Sequence, residues 1–284
     1  MRIRGMLAAS VVMVGMNAAG TAFAEPPKSD YRSPYSVKFS VPYEELMADV
    51  AKTPRGNARN ESTLPFAEWY STWTRERYGV WGPPAAHYLP PVGLERKSLS
   101  WKRERVIAVA LRFQGYGYQH HHVPDWDPPA GWPWKGPAGG ANGKGVDCSN
   151  FTSFVYNLGF GIKPNSAVKE QARRREMQGP GDATTTAQHI DLPRTCEETV
   201  KILRTGDLLF IKGSEKGEVT HVVLWVGPIG EAPDKVPLIL DSHGQGLKDD
   251  KDQPVPAGVH LRPFRDKSWY FRSASHALRV FRDE

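Results

Sequence analysis

The balance of apolar and polar positions changes character along the chain. After an apolar stretch from Met6 to Met16 the sequence is polar and Pro-rich to about Val41. It then shows two brief helical patterns, Tyr43–Lys52 and Phe66–Arg77, separated by a Gly/Asn/Ser loop. From Ser98 the pattern tightens. Val106, Val109, Ala110 and Phe113 recur at helical spacing and predict a helix from Trp101 to Phe113, stopped by Gly115. A loop rich in Gly, Pro and aromatic residues runs from Tyr116 to Lys144. A second helix is expected to start at Cys148, bury Phe151, Phe154, Val155 and Leu158, and close on Gly159. Beyond a polar, Arg-rich connection, short apolar runs predict strands at Asp207–Lys212, Val219–Gly227, Val236–Ser242, Gly258–Phe264 and His276–Arg282. Helices first and strands afterwards indicate an α+β fold, with N-terminal helices packed on an antiparallel β-sheet.

The first segment reads differently once charge is added. Arg2 and Arg4 precede the apolar stretch, and Ala22-Phe23-Ala24 precedes Glu25-Pro26-Pro27, so residues 1–24 are expected to be a secretory signal peptide. The stretch is shorter than the about 20 apolar residues a transmembrane helix needs, and no later segment approaches that length. The expectation is an exported protein, periplasmic or extracellular, with no transmembrane segment. Residues 25–97 read as an N-terminal extension, and residues 98–284 as the main domain. Trp69, Trp73, Tyr78 and Trp81 in the extension either cement it to that domain or offer a sugar-binding surface. The formal net charge of +6 suits an anionic polymer such as cell wall, and also serves plain solubility. Nucleic acid is not expected as a partner, because no binding motif accompanies the charge. An oxidising compartment would favour a disulfide between Cys148 and Cys196. That bond would consume the one cysteine placed for chemistry, so Cys196 is expected to remain a free thiol.

Asp147-Cys148-Ser149-Asn150-Phe151 follows a Gly-rich loop and opens the second predicted helix. At a helix N-terminus the unpaired N–H groups and the positive dipole end stabilise a thiolate, and they can also bind the oxyanion formed when it attacks a carbonyl. A buried structural cysteine is the plainer alternative. His221 shifts the balance, since it heads the apolar run His221-Val222-Val223-Leu224-Trp225-Val226-Gly227 and can act as general base toward Cys148. A third group should orient the imidazole. Asp241 and His243 both end the next strand and, two residues apart, point to the same face. Asp241 is preferred because a carboxylate stabilises an imidazolium well, with His243 as its competitor.

These residues together resemble the NlpC-type cell-wall cysteine peptidases, which share a papain-like core. The resemblance spans roughly residues 101–282. It rests on Ala110, Leu111, Phe113, Gly115 and Tyr118, on Asp147-Cys148-Ser149, on Gln171-Ala172, on Gly206-Asp207-Leu208-x-Phe210, and on His221-Val222-x-x-x-Val226-Gly227. It implies a Cys-His-polar triad, no metal or other cofactor, and hydrolysis of peptidoglycan stem peptides. It also places Tyr118 near Cys148, grouped with Asp147 and Ser149 as positions for substrate or oxyanion. Three departures stand out: His120-His121-His122 with a Trp/Pro insertion after Tyr118, Asp241 where many members carry a third histidine, and a longer loop between Gly227 and Leu238. The competing functions are zinc hydrolysis through His120, His121, His122, Asp125 and Asp127, a non-catalytic wall-binding module, and an acyltransferase or amidase with the same Cys-His pair.

Overall fold

The structure is a computed structural model describing residues 31–52, 71–73, 76, 87–115, 117–118, 146–244, 247–248, 252 and 254–283. The expected signal peptide, most of the Phe66–Arg77 pattern, Trp69, Tyr78, Trp81, His120–His122, Asp125 and Asp127 lie outside the described residues. The helices are α1 (Tyr43–Lys52), α2 (Leu99–Leu111), α3 (Cys148–Phe160), α4 (Val168–Arg173), α5 (Cys196–Ile202) and α6 (Trp269–Arg272). The strands of the main sheet are β1 (Gln188–Asp191), β2 (Leu208–Lys212), β3 (Val219–Gly227), β4 (Leu238–His243), β5 (Gly258–Pro263) and β6 (Ala274–Arg279). They pair antiparallel in the order β5-β4-β3-β2-β6-β1, which gives the expected α+β architecture.

The central strands are apolar without alternation because both sheet faces are covered. Leu208, Phe210, Val222, Leu224 and Val226 turn toward α2 and α3. Leu209, Ile211, Val223 and Trp225 turn the other way, toward Phe264 and Tyr270, with Val200 of α5 packed against them. Fully burying a large apolar side chain stabilises by about 1.5–3 kcal/mol, so the two-sided packing fixes which residues of each strand face the helices.

Helix α2 ends at Leu111 rather than Phe113, and two further helix ends differ from the sequence expectation, each for a local reason. Helix α2 begins at Leu99 rather than Trp101 because the Ser98 hydroxyl accepts the Trp101 N–H at 3.1 Å and caps the turn. Helix α3 does not close on Gly159. That glycine sits inside the helix against Val109, where a Cβ would lie 3.3 Å from Val109 Cγ2, and the helix ends at Gly161, whose φ is +64°. The last strand is shorter than expected, Ala274–Arg279. The elements α4, α5 and β1 carry too little apolar periodicity to have been read.

Much of the segment between Tyr35 and Val50 packs on the helical side of the sheet. Leu46, Met47 and Val50 of α1 join the same core as α2. Arg105 of α2 is fully buried and clamps three helices at once: it donates to the Asp49 carboxylate (2.6 and 2.7 Å), to the Leu46 carbonyl (2.5 Å) and to the Gly159 carbonyl (2.9 Å). The long loop after Gly227 has a partner as well, since Gly230–Glu231 pairs antiparallel with Ser36–Val37.

A polar corner sets the height of α3 on the sheet. Gly206 turns into β2 at φ +88°, and its carbonyl accepts the Tyr156 hydroxyl at 2.5 Å. Next to it the buried Asp207 accepts two hydrogen bonds from Arg279 (3.0 and 2.8 Å) and one from the Arg204 N–H (2.8 Å). The Gly-Asp-Leu sequence is thus a tie between α3 and the sheet.

Candidate active site

Cys148 is the first residue of α3 and only 7% exposed. The turn that presents it is braced from several directions. Asp147 caps the helix, its carboxylate accepting the Asn150 backbone and side-chain N–H groups, both at 2.9 Å. The Ser149 hydroxyl donates to the Ser166 carbonyl at 2.7 Å. Gln171 of α4 donates to the Ser149 and Asn165 carbonyls at 3.2 and 2.8 Å, and accepts from the Thr152 hydroxyl at 3.1 Å. The side chains of Asp147 and Ser149 therefore serve the helix start. What this turn can offer a substrate is backbone N–H, since the first N–H groups of a helix have no carbonyl four residues back.

His221 and Asp241 approach this turn from β3 and β4. The β3–β4 ladder runs from Gly227–Leu238 to Leu224–Leu240, and both residues lie past its last pair, at the same end of the two strands. Continued in register, the ladder would set His221 opposite His243 and diagonal to Asp241, and both positions are within side-chain reach. The hydrogen bond goes to the diagonal partner: His221 Nε2 lies 2.9 Å from Asp241 Oδ2. The His243 ring stands edge-on to His221 at 5.4 Å between centroids. The imidazole also interacts with the Cys148 side chain. With Nε2 engaged by Asp241, Nδ1 is the ring nitrogen left for the sulfur.

Charge follows from this arrangement. Burial opposes the imidazolium, but the charge of Cys148 and the hydrogen bond to Asp241 outweigh it and push the His221 pKa up to about 10. For Asp241, burial would favour the neutral acid. The Arg262 guanidinium, and after it the hydrogen bond from His221, reverse that and hold the carboxyl below the usual carboxylate range. The His221 imidazole and the Asp241 carboxylate thus favour their charged forms side by side.

Behind Asp241 stand residues that sequence reasoning did not single out. Arg262 Nε donates to Asp241 Oδ1 at 2.6 Å, and the Tyr270 hydroxyl donates to Oδ2 at 2.8 Å. Trp269 packs against both His221 and His243, with ring centroids at 5.5 and 6.1 Å. One signal for Arg262 existed: His260 and Arg262 occupy the face of β5 that elsewhere turns to core. Nothing in the spacing of the sequence marked Trp269 or Tyr270. On the other side of the cleft the Tyr118 ring covers Gly244, where a Cβ would come within 2.9 Å of Tyr118 Cε1. Burial, followed by the charges of Asp147 and Cys148, raises the Tyr118 pKa, so its hydroxyl stays protonated.

Cys196 belongs to another environment. It lies half-buried against the apolar cluster on the far sheet face, its pKa raised by burial and by Asp266, and both cysteines are free thiols. Among the described residues, no group of three or more His, Cys, Asp and Glu side chains is arranged to hold a metal ion. No described helix is long and apolar enough to cross a membrane.

No curated protein matches the chain. Among solved structures it is similar to an NlpC/P60 family protein from Bacillus cereus, at 19% identity over 66% of this chain and 41% of that one, with a TM-score of 0.35. It is also similar to the P60 domain of an antigen from M. avium subspecies paratuberculosis (19% identity, 66% and 98% of the two chains, TM-score 0.39). A third such structure is NlpC2 from Trichomonas vaginalis (18% identity, 63% and 46%, TM-score 0.34). The chain spans less than half the length of the Bacillus and Trichomonas proteins. The sequence profile of the NlpC/P60 family matches residues 134–251, the stretch that carries Cys148, the Gly206-Asp207 corner, His221, Asp241 and His243.

Proposed function

We propose that the protein is an exported cysteine peptidase that cleaves a peptide bond in peptidoglycan stem peptides, with Cys148 as nucleophile, His221 as general base and acid, and Asp241 as the orienting residue. Members of the NlpC/P60 family are typically cell-wall peptidases. The observation that carries the assignment of roles is the hydrogen bond from His221 Nε2 to Asp241 Oδ2 at 2.9 Å, on an imidazole that also interacts with Cys148. In this reading residues 1–24 direct export, residues 25–97 form an extension, and residues 98–284 form the catalytic domain.

The chemistry follows from the geometry. The Cys148 sulfur, its proton already on His221, attacks the carbonyl carbon, and the π electrons move to oxygen. The N–H groups at the start of α3 and the Tyr118 hydroxyl are the donors near that oxyanion. The amine leaves with the proton from His221 as the carbonyl reforms, giving a thioester on Cys148. Water then attacks the thioester, giving up a proton to His221, and the carboxylic acid departs as the thiolate is regenerated. Asp241 keeps the ring in one tautomer through both halves.

The test is digestion of purified peptidoglycan with the wild-type protein and with Cys148→Ala, analysed by mass spectrometry. New amine and carboxyl termini within the stem peptide, formed by the wild type alone, are expected. Products that also appear with Cys148→Ala would remove the nucleophile assignment, and cleaved glycan with intact peptides would remove the substrate class.

A further inference from the structure

Asp241 is an unusual place to put a charge. It is fully buried, and donors from three different elements converge on its two oxygens: Arg262 from β5 on Oδ1, and His221 from β3 together with Tyr270 from α6 on Oδ2. We propose that Arg262 is a positioning residue: by pairing with Asp241 Oδ1 it keeps the carboxylate ionised and turned so that Oδ2 holds the His221 ring with Nδ1 toward Cys148. The proposal rests on the triad reading given above.

The argument begins with what would happen without the guanidinium. Arg262 is 1% exposed, so bulk water cannot take its place. An uncompensated carboxylate at this depth would take up a proton. A protonated Asp241 would donate to His221 Nε2 instead of accepting from it. The imidazole would then carry its own proton on Nδ1, the nitrogen that must accept from the thiol. Loss of Arg262 thus inverts the tautomer without touching Cys148 or His221.

Two further observations separate this role from general stabilisation. First, Arg262 is poorly satisfied apart from Asp241: Nη1 is buried without a hydrogen-bond partner, and Nη2 reaches the Gly258 carbonyl only at 3.5 Å. A buried ion pair is weak evidence for stability, since apolar residues of similar volume often serve the fold equally well. Second, the residue directly opposite Asp241 in the β4–β5 register is His260, a possible cation that does not serve as one. Burial and then the Arg262 charge bring its pKa down to about 4, and its Nε2 is buried without a partner. The compensation of Asp241 falls to Arg262.

The experiment follows the rate of Cys148 alkylation by iodoacetamide against pH, read by peptide mass spectrometry so that Cys196 is scored separately. The groups facing the pair are Cys148 on α3, Tyr118 before it, His221 on β3, His243 on β4, His260 on β5, Tyr270 on α6 and Tyr31 ahead of α1, and all stay unchanged in the Arg262 variants. In Arg262→Met, alkylation near pH 6 should fall at least about tenfold, toward the His221→Ala profile, with Arg262→Lys in between. The deciding comparison is Asp241→Asn against Asp241→Asn/Arg262→Met, a pair that buries no uncompensated carboxylate and so remains informative if Arg262→Met does not fold. Equal rates in those two proteins are expected, because Arg262 then has no carboxylate to act through. A further loss in the double variant, or a folded Arg262→Met that alkylates like the wild type, overturns the proposal and leaves the triad standing. If wild type and His221→Ala alkylate alike, the triad reading itself fails and takes the proposal with it.

Discussion

Removing the sulfur should change the titration of His221 more than any other single substitution. The imidazole is buried, which by itself would lower its pKa, yet it stands at about 10, and the charge of Cys148 is the largest influence holding it up. Two unit charges about 4 Å apart at an effective dielectric of about 20 interact by about 4 kcal/mol, equivalent to about 3 pH units. In Cys148→Ala, which leaves Asp241 and Arg262 in place, the His221 titration should therefore drop from about 10 toward about 7. Ring resonances of isotopically labelled histidine, followed by NMR from about pH 5 to about pH 11, read this directly. The stability consequence has a definite sign. A histidine whose folded pKa lies above its ordinary 6.5 contributes stability that is fully present below 6.5 and is lost as pH rises through about 10. The wild type should lose melting temperature across that alkaline window, and Cys148→Ala should lose little there. If His221 titrates at the same pH in both proteins, the sulfur does not carry a charge beside it and the ion-pair reasoning is wrong.

Asp241→Asn should lower turnover of peptidoglycan by about 10⁴ with the fold intact, because the amide no longer fixes the tautomer. His243→Ala, which removes a ring edge-on to His221 and packed on Trp269, should cost less than about tenfold, and the opposite ranking in steady-state rates would make His243 the orienting residue. The two glycines at the end of α3 should separate cleanly in thermal melts. Gly161→Ala should cost more than about 1–2 kcal/mol, since it forces a left-handed residue and sets a Cβ 2.5 Å from the Tyr88 carbonyl oxygen. Gly159→Ala should fall near zero, its tight contact with Val109 Cγ2 offset by about 1 kcal/mol of helix propensity. Equal destabilisation would mean that neither backbone conformation nor the Tyr88 contact governs the helix end.

How far this was readable beforehand depends on how local each determinant is. The bounds of α1 and β3 were read as they stand, because in each a run of apolar residues at one period ends against a change of composition. The end of α3 was misjudged by two residues because Gly159 and Gly161 are equivalent as letters. Only the packing of Val109 against one, and the left-handed backbone of the other, tells them apart. The edge strand β1 and the short helices α4 and α5 escaped notice because tertiary contacts define them. Gln171, for instance, earns its place through hydrogen bonds to residues on α3 and in the preceding loop.

The candidate site divides along the same line. Cys148 and His221 each announce themselves locally, one by opening an amphipathic helix and the other by heading an apolar strand. The choice between Asp241 and His243 could not be made from strand parity, since both lie on one face, nor from register, which by itself would favour His243. What lies behind the strand favours Asp241. The guanidinium of Arg262 and the hydroxyl of Tyr270 arrive from β5 and α6, 21 and 29 residues further along the chain, and they make position 241 a place where a carboxylate can stay charged while buried. His243 is half-buried beside Trp269. A carboxylate in the orienting position is therefore a choice coupled to Arg262: the two charges are needed together, and an amide or imidazole at 241 would leave the arginine buried without its counter-ion.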